Sequence, residues 1–169
     1  MSDLPPIELV LYAADKLGEL RKQVVFLGGA VVGLLMTDPA ALAPRSTRDV
    51  DVVIVVARRM EYYKLDERLR TLGFTNDMRG PICRYLHGWI MVDVMPTDPE
   101  VLGFANRWYP LAVQTAESYT LANGMTINLI TASCFLGTKM EAFDDPDRED
   151  HRDIFMSRDF GDIVRVIEG

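Results

Sequence analysis

The sequence predicts an α/β (α+β) fold, because strand-like and helix-like segments follow one another along the chain. Short runs of consecutive apolar residues, typical of buried strands, occupy Val24–Leu27 and residues 52–56. Residues 7–21 instead carry apolar side chains at spacings of three and four, which predicts an amphipathic helix. Asn123-Gly124 between two further strand-like runs predicts a β-hairpin.

The first half of the chain is predicted to form three helices and four strands. Pro5-Pro6 precedes the first helix and Gly73 closes the third, as is common for these residue types. Gly28-Gly29 joins the first strand to the second helix, and residues 37–47 are predicted to be a loop. The predicted helices are 7–21, 30–36 and 61–72, and the predicted strands are 24–27, 52–56, 84–86 and 90–95. The last two strands are expected to pair in antiparallel fashion around a turn near His87-Gly88.

The second half is predicted to contain the hairpin and a helical end. Its strands are expected around 115–121 and 125–130, followed by a helix over 131–143 and a charged helical segment. Residues 102–110 are rich in aromatic side chains, which favours core or a pocket wall over a nucleic-acid platform. Acid–proline pairs are predicted to begin helices, with the acid as N-cap: Asp38-Pro39, Asp98-Pro99 and Asp145-Pro146.

Length and composition predict one globular domain over residues 1–169, with a core at about 20–130 and a helical C-terminal segment at about 131–169. With 18 Lys and Arg against 25 Asp and Glu, the net charge of −7 excludes a uniformly basic nucleic-acid-binding surface. Cys83 and Cys134 lack metal-binding spacing and are expected to be reduced core thiols. We expect a cytoplasmic protein without membrane contact, because the sequence shows neither a leader pattern nor a long uncharged apolar run.

Three aspartates are the candidate metal ligands and catalytic residues. Asp49 and Asp51 lie two apart at the entrance to the apolar strand, so both carboxylates should leave one face of it, with Cα atoms about 6.5 to 7 Å apart. Asp93 lies between Val92 and Val94 in another strand, where an unpaired carboxylate would be costly. A shared magnesium ion would relieve that cost, and Asp93 is the candidate general base. The simpler alternative is that Asp49 and Asp51 form only the solvated face of a strand.

Residues around the acids could hold a nucleoside triphosphate. The backbone of Gly28 and Gly29 can approach phosphates at the start of a helix, although most glycine pairs are only turns. Arg45 and Thr47 could bind phosphate oxygens, and simple solvation is the alternative for this arginine. Lys139 lies on a helix that could face the triphosphate. A solvated surface lysine is the alternative there.

These motifs resemble those of the nucleotidyltransferase superfamily with the polymerase-beta-type fold. The resemblance rests on Leu27-Gly28-Gly29, on Arg45-x-Thr47-x-Asp49-x-Asp51, and on Asp93 in a strand. Residues 138–143 (TKMEAF), followed by Asp153-x-x-x-Ser157-x-Asp159-x-x-Asp162-Ile163, are similar to the C-terminal signature of small bacterial proteins related to the AbiEii and MenT toxins. One departure is Gly28-Gly29, where many of those toxins have Gly-Ser.

The resemblance implies a nucleotidyltransferase-type mixed sheet flanked by helices, and metal bound by Asp49, Asp51 and Asp93. It implies magnesium, or manganese in its place, and transfer of a nucleoside monophosphate from a triphosphate such as ATP to a hydroxyl. Lys139 and Asp159 become candidate nucleotide-binding residues, although Asp159 could instead favour a helix dipole. The acceptor could be tRNA, a protein or a small molecule, an antitoxin-like partner is expected if the chain is a toxin, and two chains could pair. The alternative function is a catalytically silent nucleotide-binding or regulatory module.

Overall fold

Seven helices and seven strands form within residues 4–169, the part of the chain that the computed structural model describes. The first three residues, which open the segment considered for a leader, lie outside the described residues. The helices are α1 (Pro6–Leu17), α2 (Val32–Leu35), α3 (Arg59–Thr71), α4 (Pro99–Leu102), α5 (Tyr109–Thr115), α6 (Ala132–Phe143) and α7 (Arg158–Glu168). The strands are β1 (Val24–Leu27), β2 (Asp49–Ile54), β3 (Thr75–Asn76), β4 (Arg84–His87), β5 (Ile90–Pro96), β6 (Glu117–Thr120) and β7 (Thr126–Leu129).

All seven strands belong to one mixed sheet in the order β3-β4-β5-β2-β1-β7-β6. The central strand β2 pairs antiparallel with β1 and parallel with β5, and β1 pairs parallel with β7. Antiparallel pairs extend the sheet at both edges. The predicted mixed sheet flanked by helices is therefore confirmed, and the sequence motifs lie on its central strands.

Helices cover both faces of the sheet. Side chains alternate along β4, so Tyr85 and His87 lie on the face opposite Arg84. The Tyr85 hydroxyl donates to Asp66 of α3, and His87 contacts Tyr12 of α1, which places α1 and α3 on that face. On the other face α5 packs against β1 and β2, α6 packs against α5, and α7 packs against α6. The face that carries Arg84 is therefore the one that meets the C-terminal helices.

Several sequence predictions need correction in detail. Of the three Asp-Pro pairs only Asp98-Pro99 begins a helix, α4, whereas Asp38 and Asp145 accept hydrogen bonds from backbone N–H groups in isolated turns. The first helix stops at Leu17, because Gly18 takes φ 54°, and a 3₁₀ turn follows over Gly18–Lys22. The expected helix 30–36 is a 3₁₀ turn, Gly29–Val31, followed by the single turn α2.

The sequence also failed to predict α5 and the short edge strand β3. Pro110 lies in the first turn of α5, where it is favourable, so residues 109–115 are helical and β6 begins only at Glu117. The hairpin at Asn123-Gly124 and the helix α6 are confirmed. Both cysteines are buried free thiols, as expected. No helix within residues 4–169 is long and apolar enough to span a bilayer.

Candidate active site

Strand register brings the three aspartates to one face of the sheet. Asp51 pairs with Leu27 of β1 on one side and with Asp93 of β5 on the other. Residues paired in a parallel register share a face, and Asp49, two positions before Asp51, shares it too. The three carboxylates therefore form an acid cluster on adjacent strands at the point where β1 ends.

Gly28 allows the chain to pass directly over this acid cluster. It follows Leu27 with φ 76° and ψ −167°, a conformation that residues with a side chain rarely adopt. A Cβ atom at this position would lie 1.9 Å from Oδ2 of Asp51. Only glycine fits here, because the backbone and the carboxylate occupy adjoining space. At Gly29 a Cβ atom would lie 2.9 Å from Nη2 of Arg45.

Burial and neighbouring negative charge disfavour ionisation of Asp51. Burial, then the nearby charge of Asp49, then that of Asp93 raise the pKa of Asp51 to about 7, although Lys139 and Arg84 oppose the shift. A cation close to Asp51 would favour its ionised form. The electrostatics of the cluster therefore favour binding of positive charge.

Arg84 already supplies one positive charge to the acid cluster. Its Nε donates to Oδ1 of Asp93 at 2.8 Å and its Nη2 to Oδ2 of Asp93 at 2.7 Å. The same Nη2 donates to Oδ2 of Asp49 at 3.3 Å. Sequence reasoning missed this residue, although a signal was present. A two-residue turn at positions 88 and 89 pairs His87 with Ile90. Because the two strands are antiparallel, the pair three residues further from the turn is Arg84 with Asp93.

Thr47 and Arg45 each donate hydrogen bonds to a carboxylate. Thr47 Oγ1 donates to Oδ1 of Asp49 at 2.6 Å, which orients that carboxylate. Arg45 makes a two-point contact with Asp162 of α7, Nε to Oδ1 at 2.9 Å and Nη2 to Oδ2 at 3.0 Å. That pairing joins the loop before β2 to the last helix. Their roles toward phosphate stay predictions.

Lys139 lies in a buried charge network and is not the solvated surface lysine considered as the alternative. Its Nζ lies 2.9 Å from Oδ1 of Asp159 and 2.9 Å from Oδ2 of Asp162. Burial opposes the charge of Lys139, but these two carboxylates outweigh it and raise its pKa. Arg148 adds a contact of 2.6 Å to Oδ2 of Asp159. Arg148 and Asp162 were not among the predicted site residues, although Asp162 belongs to the C-terminal signature.

The charge network carries an excess of one positive charge. Three cations, Arg45, Lys139 and Arg148, meet two carboxylates, Asp159 and Asp162. Asp159 also lies in the first turn of α7, where Ser157 caps the helix through the Phe160 N–H. Asp159 therefore lies at a helix start, as the helix-dipole alternative expected, and its role toward a nucleotide stays a prediction.

A cavity of about 1080 Å³ is lined by Asp51 of the acid cluster and by part of the charge network. Gly28 and Asp51 form one part of its wall, and Lys139, Arg148 and Asp159 form another, beside further charged side chains of both signs: Arg107, Glu141, Asp144, Asp145 and Arg152. A third wall is aromatic, formed by Phe104, Trp108 and Tyr109, as predicted for residues 102–110. This volume is at the upper end of typical small-molecule sites, which run to roughly 1,000 Å³.

Trp108 of the aromatic wall packs against α6. A Cβ atom at Gly137 would lie 2.5 to 2.9 Å from three atoms of the Trp108 indole, so the ring packs directly on the helix backbone. Asn106 donates to the Thr138 carbonyl at 3.0 Å and accepts from the Trp108 N–H at 3.0 Å. Trp108 is therefore held in one position beside the cavity.

The chemistry of the acid cluster fits a hard divalent cation, since magnesium and manganese prefer carboxylate oxygens. A guanidinium already bridges Asp93 and Asp49, which demonstrates that positive charge is accommodated between them. As they stand, however, no three His, Cys, Asp or Glu side chains within residues 4–169 are arranged to hold one ion. Arg84 contacts both oxygens of Asp93.

No protein-family model matches the sequence, and a comparison with curated proteins finds no relative. Solved structures do resemble the fold. An antigenic nucleotidyltransferase-like protein from Paracoccidioides brasiliensis superposes with a TM-score of 0.63 and 20% identity, over 96% of this chain and 75% of its own. The antibiotic-resistance factor ANT(2'')-Ia, a protein with substrate-regulated conformational dynamics, superposes with a TM-score of 0.55 and 11% identity, over 96% of this chain and 82% of its own. The fold is that of nucleotidyltransferase-like proteins.

Proposed function

We propose that this chain is a divalent-metal-dependent nucleotidyltransferase that transfers a nucleoside monophosphate from a nucleoside triphosphate to a hydroxyl group. The observation that carries the proposal is the convergence of Asp49, Asp51 and Asp93 beneath Gly28, beside a cavity that Asp51 lines together with Lys139 and Arg148. A triphosphate bound there would have its anionic groups near Lys139 and Arg148 and near a divalent ion held by the acid cluster.

Asp49 and Asp51 would hold magnesium, or manganese, in common, with Asp93 as the third ligand. Bound in this way, the ions would neutralise charge on the triphosphate and on the departing pyrophosphate. Thr47 would keep the Asp49 carboxylate in position through its hydrogen bond. The paired strands fix the backbone positions of the three acids.

Asp93 is proposed to accept the proton of the acceptor hydroxyl. The hydroxyl oxygen forms a bond to the α-phosphorus, while the bond from that phosphorus to the pyrophosphate oxygen breaks. The proton passes to Asp93 and then to water, and pyrophosphate leaves. The reaction changes no oxidation state, so it requires no external oxidant or reductant.

Lys139 and Arg148, which line the cavity, are proposed to bind the β- and γ-phosphates. Lys139 has three N–H groups, and Asp159 and Asp162 account for two of them. Arg148 lines the cavity with its side chain 47% exposed, so its guanidinium can reach a ligand while it contacts Asp159. The backbone at Gly28 and Gly29 would approach the phosphates from the acid side.

Calorimetric titration of the four nucleoside triphosphates, with and without magnesium, tests the binding part of this proposal. We expect magnesium-dependent binding that an Asp49→Asn/Asp51→Asn double variant loses. Asp15→Asn/Glu19→Gln is the matched control, because it also removes two negative charges and both side chains are at least 60% exposed on α1 and the turn after it. Unchanged binding in the site variant would exclude the acids as metal ligands.

Covalent label transfer tests the chemistry. Labelled triphosphate with magnesium would be incubated with total RNA, with lysate protein and with a panel of small hydroxyl compounds, since the acceptor is proposed to be one of these. We expect label on one class of acceptor, and none with the double variant. The antitoxin-like partner and the pairing of two chains stay predictions.

One observation favours a second candidate function, a nucleotide-binding or regulatory module without turnover. Arg84 already contacts both oxygens of the candidate base Asp93. Tight magnesium-dependent nucleotide binding with no label on any acceptor class would favour this module over the enzyme.

A further inference from the structure

We propose that Arg84 is an internal counter-ion of the acid cluster and competes with a divalent cation for Asp93, so that metal loading requires Arg84 to release this carboxylate. The inference rests on the proposed function, because it assigns the acid cluster to metal binding. It concerns a residue outside the motifs that predicted the site. Arg84 is thus a positioning residue that acts through the acids.

The position of Arg84 is set by the backbone. It lies on β4 directly opposite Asp93 in the antiparallel register, so the two side chains share a face and a short distance. Its planar guanidinium matches the carboxylate at two points, 2.8 and 2.7 Å. The contact is therefore a preferred geometry of neighbouring strands and not a chance encounter of two surface side chains.

The reach of Arg84 beyond Asp93 distinguishes it from a simple cross-strand ion pair. Nη2 also lies 3.3 Å from Oδ2 of Asp49, which belongs to β2 on the far side of β5. One guanidinium nitrogen thus bridges two of the three acids. A cation shared by those two acids would have to lie close to the same place.

Arg84 and a divalent ion oppose each other for two reasons. Both need the oxygens of Asp93. Two positive charges bound to one carboxylate also repel each other, and this repulsion is stronger than in bulk water because the Arg84 side chain is only 20% exposed. Arginine stays charged throughout the accessible pH range, so its charge cannot be removed by deprotonation. Release of Asp93 therefore requires the side chain of Arg84 to move.

Manganese binding to the metal-free protein tests the proposal without any activity measurement. Mn²⁺ alone would be titrated while the free ion is followed by electron paramagnetic resonance. We expect Arg84→Gln to bind Mn²⁺ at least about tenfold more tightly than the natural chain, because one opposing charge is removed. Arg84→Lys keeps the charge and should bind within about threefold of the natural chain.

Arg79→Gln is the matched control. Arg79 is exposed in the segment before β4, so its replacement removes the same charge from the same region and should leave Mn²⁺ affinity within about twofold. Melting temperature supplies a second readout. Arg84→Gln should melt below the natural chain in chelator and gain more from Mn²⁺ than the natural chain does.

The outcomes separate this inference from the proposed function. If the natural chain binds Mn²⁺, loses it on Asp49→Asn/Asp51→Asn, and Arg84→Gln binds no more tightly, the inference is overturned and the metal site stands. If Arg84→Gln proves unstable, Arg84→Lys and Arg84→Met are compared with the natural chain instead. Tighter Mn²⁺ binding by Arg84→Met, with Arg84→Lys equal to the natural chain, would support the role of charge. Equal affinity of the natural chain, Arg84→Lys and Arg84→Met would overturn it. If neither the natural chain nor the Arg84 variants bind Mn²⁺, both proposals fail together.

Discussion

At the scale of single residues, Asp51 and Gly28 show how closely the site is packed. Asp51 has Leu27 and Asp93 as strand neighbours and Gly28 above it. Its pKa of about 7 follows from burial first and from Asp49 and Asp93 next. The sequence predicted that Asp49 and Asp51 share a face because alternate residues of a strand do so, and it indicated Asp93 because an unpaired carboxylate in a buried strand is costly. It could not predict this contact with Gly28, which depends on where β1 ends relative to β2.

Replacing Asp51 by Asn should change how stability depends on pH. Between the ordinary pKa of 3.8 and about 7, the folded chain retains a proton that the unfolded chain releases, so this group lowers the free energy of unfolding as pH rises through that window. Asn has no such dependence. In chelator, the melting temperature of Asp51→Asn relative to the natural chain should therefore rise between pH 5 and pH 8, by roughly 2–4 °C for each 1 kcal/mol. Asp15→Asn, an exposed control, should show no such trend, and a constant difference for Asp51→Asn would contradict the shifted pKa.

Gly28→Ala should destabilise the fold more than an alanine at a glycine with free space around it. Both a rare backbone conformation and the 1.9 Å approach to Asp51 oppose the new methyl group, and we expect a loss of about 3 kcal/mol or more. Gly124 also has positive φ, 84°, but nothing lies within 4 Å of a Cβ there, so Gly124→Ala should cost about 1 kcal/mol. Urea unfolding compares the two. Equal losses would mean that the contact with Asp51 contributes nothing.

At the scale of elements, local sequence patterns predicted the pairing of strands that follow one another along the chain. They did not predict contacts between residues that are far apart in sequence. The β4–β5 pairing, the Asn123-Gly124 hairpin and the shared face of Asp49 and Asp51 follow from short-range rules. The contact between Arg45 and Asp162 joins residues 117 positions apart, and no periodicity or turn chemistry indicates it. Lys139 is the clearest case, because a lysine on a helix is usually exposed and only the docking of α7 buries it.

Lys139→Met should destabilise the packing of α6 on α7. Asp159 and Asp162 would lose a buried cation, and we expect a loss of about 3 kcal/mol, the lower end for breaking a buried pair, since Arg45 and Arg148 still contact the two acids. Arg148→Met is the control, because it removes a cation from the same carboxylate but from a side chain that is 47% exposed, and it should cost about 1 kcal/mol or less. Denaturant unfolding measures both. A loss for Arg148→Met as large as that for Lys139→Met would contradict the importance of burial.

At the scale of the whole molecule, the two sides of the cavity come from different parts of the chain. The acid cluster lies on strands between residues 49 and 93, whereas the charge network takes Lys139 from α6, Asp159 and Asp162 from α7, and Arg148 from the segment between these helices. Arg45 connects the two, because it precedes β2 and contacts α7. A ligand that contacts both sides therefore couples the C-terminal helices to the central strands.

Hydrogen exchange should reveal that coupling. Magnesium with a triphosphate that cannot be cleaved between its α- and β-phosphorus atoms should slow amide exchange in α7 and in residues 144–157, because the ligand contacts both sides of the cavity and opposes separation of the C-terminal helices. The edge strand β6, which lies at the far end of the sheet and has no residue in the cavity lining, should exchange at an unchanged rate. Asp49→Asn/Asp51→Asn should show no protection in α7 at the same ligand concentration. Protection confined to the strands, with α7 unaffected, would mean that the ligand is held by the acid cluster alone and that the charge network has only a structural role.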